Sequence, residues 1–158
     1  MKTIFTLMFA VVLNGLSFGQ YLSFKEFKGL LDVANSETKV EKYLKDRGFE
    51  KSSDNKLDEE KGIKYLYYSK KSGKKTQFVT VLQSVKGNNH LVRESSKDKK
   101  RWEYYKDIAR GNGFKEVETI SPTKSESSTR YRNKELELTI AKSQGLDRTF
   151  YTINLNKF

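Results

Sequence analysis

Cysteine is absent from the 158 residues, and histidine occurs once, as His90. Without cysteine the chain has no disulfide, no thiolate nucleophile and no thiolate zinc ligand. With one histidine it also lacks the paired imidazoles of common zinc sites. His90 stands in the stretch GNNHL, which is typical of a surface turn. We therefore predict no catalytic residue, no metal site and no cofactor.

Motifs for calcium, phosphate and glycoside chemistry are also missing. The one acidic cluster consists of Asp54, Asp58, Glu59 and Glu60. An EF-hand loop would need a ligand where Lys56 stands and a glycine where Glu59 stands. The cluster is therefore interpreted as a solvated loop. The run 111–113 (GNG) follows a predicted helix and is typical of a helix end, not of a phosphate loop. Glu135 and Glu137 alternate with apolar residues, which indicates a wet strand face.

Long apolar runs are scarce, and the one present is N-terminal. Lys2 precedes ten apolar or small residues at 4–13, Asn14 and Gly15 interrupt the run, and Ser17-Phe18-Gly19 places small residues before a cut. This order is typical of a signal peptide, and the run is about half the ~20 residues that span a bilayer. We predict cleavage near Gly19–Gln20 and a periplasmic or secreted protein. The alternatives are a buried N-terminal helix or an uncleaved anchor.

Negative charge is in short supply, since 31 basic side chains face 20 acidic ones. Removing residues 1–19 takes away Lys2 and no acid, so the mature chain would carry 30 basic and 20 acidic side chains, a net charge of +10. Such a field favours anionic partners. The alternative is that the lysines only keep the protein soluble.

Proline occurs once, at Pro122, whereas phenylalanine and tyrosine are abundant, so the chain is expected to fold. Ser23 and Glu26 form a capping box for a helix over 24–32, and a second helix is predicted from Asn35 or Ser36 to about 47. A third spans 98–110. Strands are predicted at 63–69, 76–85, 114–120, 136–140 and 151–155, with turns around Gly73 and at 87–90 and a loop at 121–128.

A shift of 65 residues superimposes two similar stretches of the sequence. Each has a helix with apolar residues at matching positions, then Gly-Phe, a polar loop and a hairpin, with Gly48-Phe49 matching Gly113-Phe114. We interpret this as an internal repeat, although any amphipathic helix ended by Gly-Phe would align in this way. The predicted fold is α+β: a single domain over 20–158, with repeats at about 36–86 and 97–158 pooling their strands into one antiparallel sheet under helices on one face.

This architecture resembles the tandem α+β repeat modules of bacterial exported proteins, of the β-lactamase-inhibitor-like and PepSY-like kind. The resemblance covers residues 36–158 and rests on element order and the two Gly-Phe junctions. It implies a module that binds proteins or peptides and does not catalyse, and it assigns no functional residue.

Two surfaces are the candidate binding sites. The first is basic and consists of Lys70, Lys71, Lys74, Lys75, Lys97, Lys99, Lys100 and Arg101. The second is aromatic: strand alternation places Tyr65 and Tyr67 on one side and Leu66 with Tyr68 on the other. One side is core, and the other is either a stacking platform for bases or sugars or cover beneath a helix.

The function predicted from these features is an exported, non-enzymatic binding module for a protein or peptide. The alternative is a binder of an anionic polymer, either nucleic acid or acidic polysaccharide, through the basic residues. A hydrolase that uses unusual carboxylate or tyrosine chemistry is the third hypothesis.

Overall fold

The computed structural model describes residues 21–52, 55–87 and 89–158. The predicted signal peptide and Asp54 lie outside these residues. Within them the chain forms three helices and nine strands. The helices are α1 (Phe24–Asp32), α2 (Glu37–Lys45) and α3 (Lys99–Gly111). The strands are β1 (Glu50–Lys51), β2 (Lys56–Asp58), β3 (Ile63–Ser72), β4 (Lys75–Ser84), β5 (His90–Ser96), β6 (Lys115–Thr123), β7 (Glu126–Arg132), β8 (Leu136–Gln144) and β9 (Thr149–Lys157).

The predicted helix ends are confirmed where capping residues fixed them. In α1 the Ser23 hydroxyl accepts from the Glu26 amide at 3.3 Å, and the Glu26 carboxylate accepts from the Ser23 amide at 2.8 Å. Ser36 caps α2, and Gly48 after that helix has φ of +78°, a conformation that favours glycine. None of the helices in the described part of the chain is long and apolar enough to cross a bilayer.

All strands join one antiparallel sheet, so the predicted α+β class is confirmed. Its order is β1-β3-β4-β5-β9-β8-β7-β6, and β2 also pairs with β3. The centre is the pairing of β5 with β9, in which Val92 lies opposite Leu155. The fifth strand and the last strand in sequence therefore pair with each other across the two halves of the chain, and neither is at an edge.

Apart from the short strands β1 and β2 beside β3, two strands were not predicted. Residues 121–128 were expected to be a loop, but β6 runs to Thr123 and β7 begins at Glu126. The central strand β5 was missed because Glu94 and Ser96 occupy two of its buried positions, which breaks the apolar alternation that identifies a half-buried strand.

The core contains buried side chains from both the helices and the sheet. Alternate residues of the central strands are buried, and they form one hydrophobic cluster with the buried residues of α1, α2 and α3. Its largest side chains with almost no exposure include Phe27, Leu44, Leu66, Tyr105 and Leu138. The cluster draws on both halves of the chain, so we expect the described chain to unfold as one unit.

Gly29 tests how closely α1 and α2 pack. A methyl group at Gly29 would lie 2.5 Å from the Tyr43 hydroxyl, which donates to the Glu26 carbonyl at 2.8 Å. Gly→Ala inside a helix normally stabilises by about 0.5–1 kcal/mol. Here we expect Gly29→Ala to lower the free energy of unfolding, measured by urea denaturation, because Tyr43 must move and lose its hydrogen bond.

The control for that prediction is the same change in a Tyr43→Ala background. With the ring gone, Gly29→Ala should show the ordinary helix gain of about 0.5–1 kcal/mol. An equal effect in both backgrounds would mean that Tyr43 does not limit the helix approach.

Candidate functional site

The sheet has a second side, which is not part of the hydrophobic core. On β3, Leu66 and Tyr68 are buried, while Tyr65 and Tyr67 alternate with them and are only half-buried. We call this side the outer face. In the central strands it also carries Thr80, Leu82, Leu91, Arg93, Thr139, Asn154 and Asn156, each of which is half-buried.

The outer face has an apolar and aromatic part on β3, β4 and β5. The rings of Tyr65 and Tyr67 stack with centroids 6.2 Å apart and planes 9° apart. Tyr65 lies opposite Leu82, and Leu82 lies opposite Leu91. We name these four residues the aromatic patch. The core side of β3 belongs to Leu66 and Tyr68, so Tyr65 and Tyr67 lie on the other side of that strand, as the alternation predicts.

A groove lies beside the aromatic patch. It has a volume of about 430 Å³, and its walls include Tyr67, Phe78, Thr80 and Lys56. Its size falls in the usual range of ligand pockets. Because its floor is formed by neighbouring strands of the sheet, the groove has a rigid base and is suited to receiving a side chain or ring.

The rest of the outer face is charged. Arg93 donates from Nε to Asn154 at 2.8 Å, next to the aromatic patch. Farther along, Arg130 pairs with Glu118 at 2.7 Å and Arg132 pairs with Glu137 at 2.7 Å. Arginine beside tyrosine is the composition that dominates binding energy in protein interfaces.

The predicted basic surface is only partly assembled in the structure. Lys74, Lys75 and Lys97 line one cleft. Lys70 lies elsewhere, with its ammonium 5.8 Å from the centre of the Phe49 ring. Three more are exposed but do not line that cleft; they are Lys71, Lys99 and Lys100.

Arg101 does not belong to the basic surface at all. Its side chain is 5% exposed and forms a bidentate pair with Glu94, at 2.8 Å from Nε and 2.7 Å from Nη2. Nη2 also donates to the Leu22 carbonyl at 2.7 Å. Arg101 is one helical turn before the buried Tyr105 and therefore faces the core. In the sequence it follows other cations, and for that reason it was predicted to be on the surface.

We call the cleft that holds Lys74, Lys75 and Lys97 the cationic cleft. It has a volume of about 410 Å³ and lies where β4 begins, β5 ends and β9 begins. Its walls also include Arg148, Phe78 and Phe150. Arg148 and both phenylalanines were not singled out from the sequence. An exposed phenylalanine near a strand end was the available signal, since Phe78 and Phe150 are 49% and 40% exposed.

One acid, Asp98, lies within the cationic cleft. Burial alone would raise the pKa of Asp98, but hydrogen bonds from the Lys75 ammonium at 2.7 Å and the Lys100 amide at 3.0 Å lower it below its usual value. The Tyr21 hydroxyl also donates to Asp98 at 3.1 Å, and burial followed by the nearby Asp98 charge raises the pKa of Tyr21 to about 12. Asp98 is therefore ionised at neutral pH and neutralised by Lys75.

His90 lines a small pocket of about 170 Å³ with Asp32 and Lys157, which pair with each other at 2.7 Å. Burial lowers the pKa of His90, so it is neutral at pH 7. Among the described residues, no three histidine, aspartate or glutamate side chains come together in a way that could hold a metal ion. Glu135 precedes β8 and is not on a strand face with Glu137, contrary to the sequence interpretation.

Comparison with known proteins gave no matching family model, no matching curated protein and no matching solved structure. The resemblance to tandem repeat modules therefore stays a prediction.

Proposed function

We propose that this chain is an exported, non-enzymatic binding module that holds a protein partner on the outer face of its sheet. The observation that carries the proposal is the aromatic patch beside Arg93 on a rigid antiparallel sheet. Large side chains that are half-exposed and held in one geometry lose little conformational entropy on binding. Arginine and tyrosine then supply most of the affinity.

The charges of the outer face favour an acidic partner surface. Glu118 and Glu137 are already paired with Arg130 and Arg132. The whole chain has a formal net charge of +11, which accelerates encounter with acidic proteins. The groove beside Tyr67 would receive an apolar or aromatic side chain of that partner.

The internal repeat is part of the proposal. The sheet order is the same when followed inward from β1 and from β6, with β5 and β9 meeting at the centre. In each half a helix is followed by a glycine with positive φ and a phenylalanine that is less than 10% exposed, Phe49 at 4% and Phe114 at 9%. These matches support two related units joined along β5 and β9.

We also infer that the three helices cover the same side of the sheet. The support is that their buried residues share one cluster with the buried side chains of β3, β4, β5, β8 and β9. The outer face would then be left to a partner, as one side of an antiparallel sheet commonly is left to solvent. The exported location rests on residues 1–19 alone.

A photo-crosslinking experiment tests the proposed function. A benzoylphenylalanine at Leu82 should give one discrete adduct with a protein from the envelope or medium of the native cells. The same group at Thr38, which is exposed on α2, is the control and should not give that adduct. Identical adducts at both positions, or none at Leu82, would contradict binding on the outer face.

The energetic test is Tyr67→Ala. We expect about tenfold or greater loss of affinity for the crosslinked partner, because truncating a tyrosine at the centre of an interface removes a large share of the binding energy. Leu146→Ala, at a fully exposed leucine in the turn between β8 and β9 and outside the aromatic patch, should leave the affinity unchanged. Calorimetry with the purified partner measures both. Equal losses would place the interface elsewhere.

A further inference from the structure

The cationic cleft has more positive charge than the protein neutralises. Lys75 is paired with Asp98 at 2.7 Å. Over the described residues, Lys74, Lys97 and Arg148 have no carboxylate within 4 Å. Three cations without a carboxylate partner therefore line one cleft, which favours an anionic ligand.

Two phenyl rings give the cleft an apolar wall. Phe78 and Phe150 remain 49% and 40% exposed, although they lie within strands β4 and β9. The Lys97 ammonium lies 5.4 Å from the centre of the Phe150 ring, within the range of a cation–π contact. The charge and the apolar surface are therefore side by side, and one ligand can contact both.

Hydroxyl groups complete the lining. Thr76 and Ser95 are among the lining residues, and the Tyr21 hydroxyl lies beside Asp98, whereas the Ser96 hydroxyl is buried and accepts from the Asp98 amide at 3.3 Å. These groups both donate and accept, and the ionised Asp98 only accepts. This mixture suits a ligand that has many hydroxyl groups of its own as well as negative charge.

We propose that the cationic cleft binds an acidic polysaccharide, with sugar carboxylates on Lys74, Lys97 and Arg148 and a sugar ring against Phe78 or Phe150. The C–H face of a pyranose is apolar enough to pack on a phenyl ring, and its hydroxyls match the serine, threonine and aspartate oxygens. Arg148 offers two parallel N–H donors to a carboxylate. The cationic cleft shares Phe78 with the groove beside Tyr67, but its cations lie outside the aromatic patch, and it does not depend on a protein partner.

Single-stranded nucleic acid fits these features less well. It is held by a groove that follows the phosphate backbone past successive aromatic platforms. The cationic cleft is compact, has a volume of about 410 Å³, and contains the carboxylate of Asp98 in its wall. That carboxylate accepts from sugar hydroxyls but offers nothing to a phosphodiester.

The test is calorimetry of the purified protein with three probes at low salt. The first is a short galacturonate oligomer, the second is its fully methyl-esterified form, and the third is a thymidylate oligomer of equal charge. We expect the galacturonate to bind about tenfold or more tightly than either of the others. No galacturonate binding, or equal binding of the ester, would overturn the proposal. Tighter binding of the thymidylate would assign the cleft to nucleic acid and overturn it as well.

A pair of matched variants separates the site from net charge. Lys97→Gln with Arg148→Gln should weaken galacturonate binding about tenfold or more, because each cation makes a charge-assisted hydrogen bond to the ligand. Lys39→Gln with Lys45→Gln removes the same charge from exposed positions on α2 and should change binding about twofold at most. Equal losses of affinity in both pairs would mean that overall charge causes the effect, and the proposal would be wrong. Tyr67→Ala should leave galacturonate binding intact even if partner binding fails.

Discussion

Arg101→Ala should lower the free energy of unfolding by about 3–5 kcal/mol, a large part of the stability of an ordinary domain. The Glu94 side chain is fully buried, and Arg101 supplies two of its hydrogen bonds and its only opposite charge among the described residues. Removing the guanidinium leaves a buried carboxylate with only the Tyr105 hydroxyl, at 3.2 Å. Urea unfolding followed by Trp102 fluorescence measures the loss.

Two further variants test whether the buried charge of Glu94 causes this loss of stability. Arg110 lies on the same helix, its side chain is 74% exposed and it pairs with Asp107, so Arg110→Ala should change stability by about 0.5 kcal/mol or less. Arg101→Met combined with Glu94→Leu removes both charges and should recover most of the stability that Arg101→Ala loses. If the double variant is no more stable than Arg101→Ala, the buried charge of Glu94 is not the cause.

Phe27→Ala should cost about 3–5 kcal/mol as well, through lost burial and the cavity left behind. The Phe27 side chain is fully buried, and its ring meets Tyr105 edge-on, with centroids 5.7 Å apart. Phe27 is on α1, whereas Trp102 is on α3, which is distant from α1 in the sequence. Because Phe27 belongs to the hydrophobic cluster and Trp102 packs against it, Trp102 fluorescence should report the full loss in a single transition.

The control for Phe27→Ala is to follow the same unfolding by circular dichroism, which reports on all helices and strands. Its transition should coincide with that of Trp102 in both wild type and variant. An early transition seen by dichroism but not by Trp102 would show that α1 unfolds separately and that the core is divided.

The parts of the fold that the sequence predicted are those governed by local rules. Ser23 and Glu26 located α1, and Gly48 and Gly113 marked two chain reversals, because caps and positive-φ glycines act within a few residues. Strand β5 was not predicted because its burial depends on a residue outside the strand. Glu94 is acceptable at a buried strand position only because Arg101 reaches it from α3, and a pattern read along one strand contains nothing about a partner on a helix.

The candidate sites divide in the same way. Alternation correctly separated Tyr65 and Tyr67 from the core side of β3, since the side-chain period of a strand is fixed. The cationic cleft was not predictable as a unit. It joins the turn after β3, the end of β5 and the turn before β9, and Arg148 enters it only because β9 lies beside β5. Of the four cations at 97–101 that were predicted to be on the surface, three are exposed and Arg101 is buried.

The position of β9 determines when the sheet is completed. This strand follows all the others in the sequence, yet it lies between β5 and β8. As the ribosome delivers the chain in order, β5 and β8 must each wait with one row of backbone amides and carbonyls unpaired until β9 emerges. Such late, distant pairing slows folding and leaves open strand edges in the intermediate. A chain of this design stays incomplete, and in need of shielding from its neighbours, until β9 is available to pair.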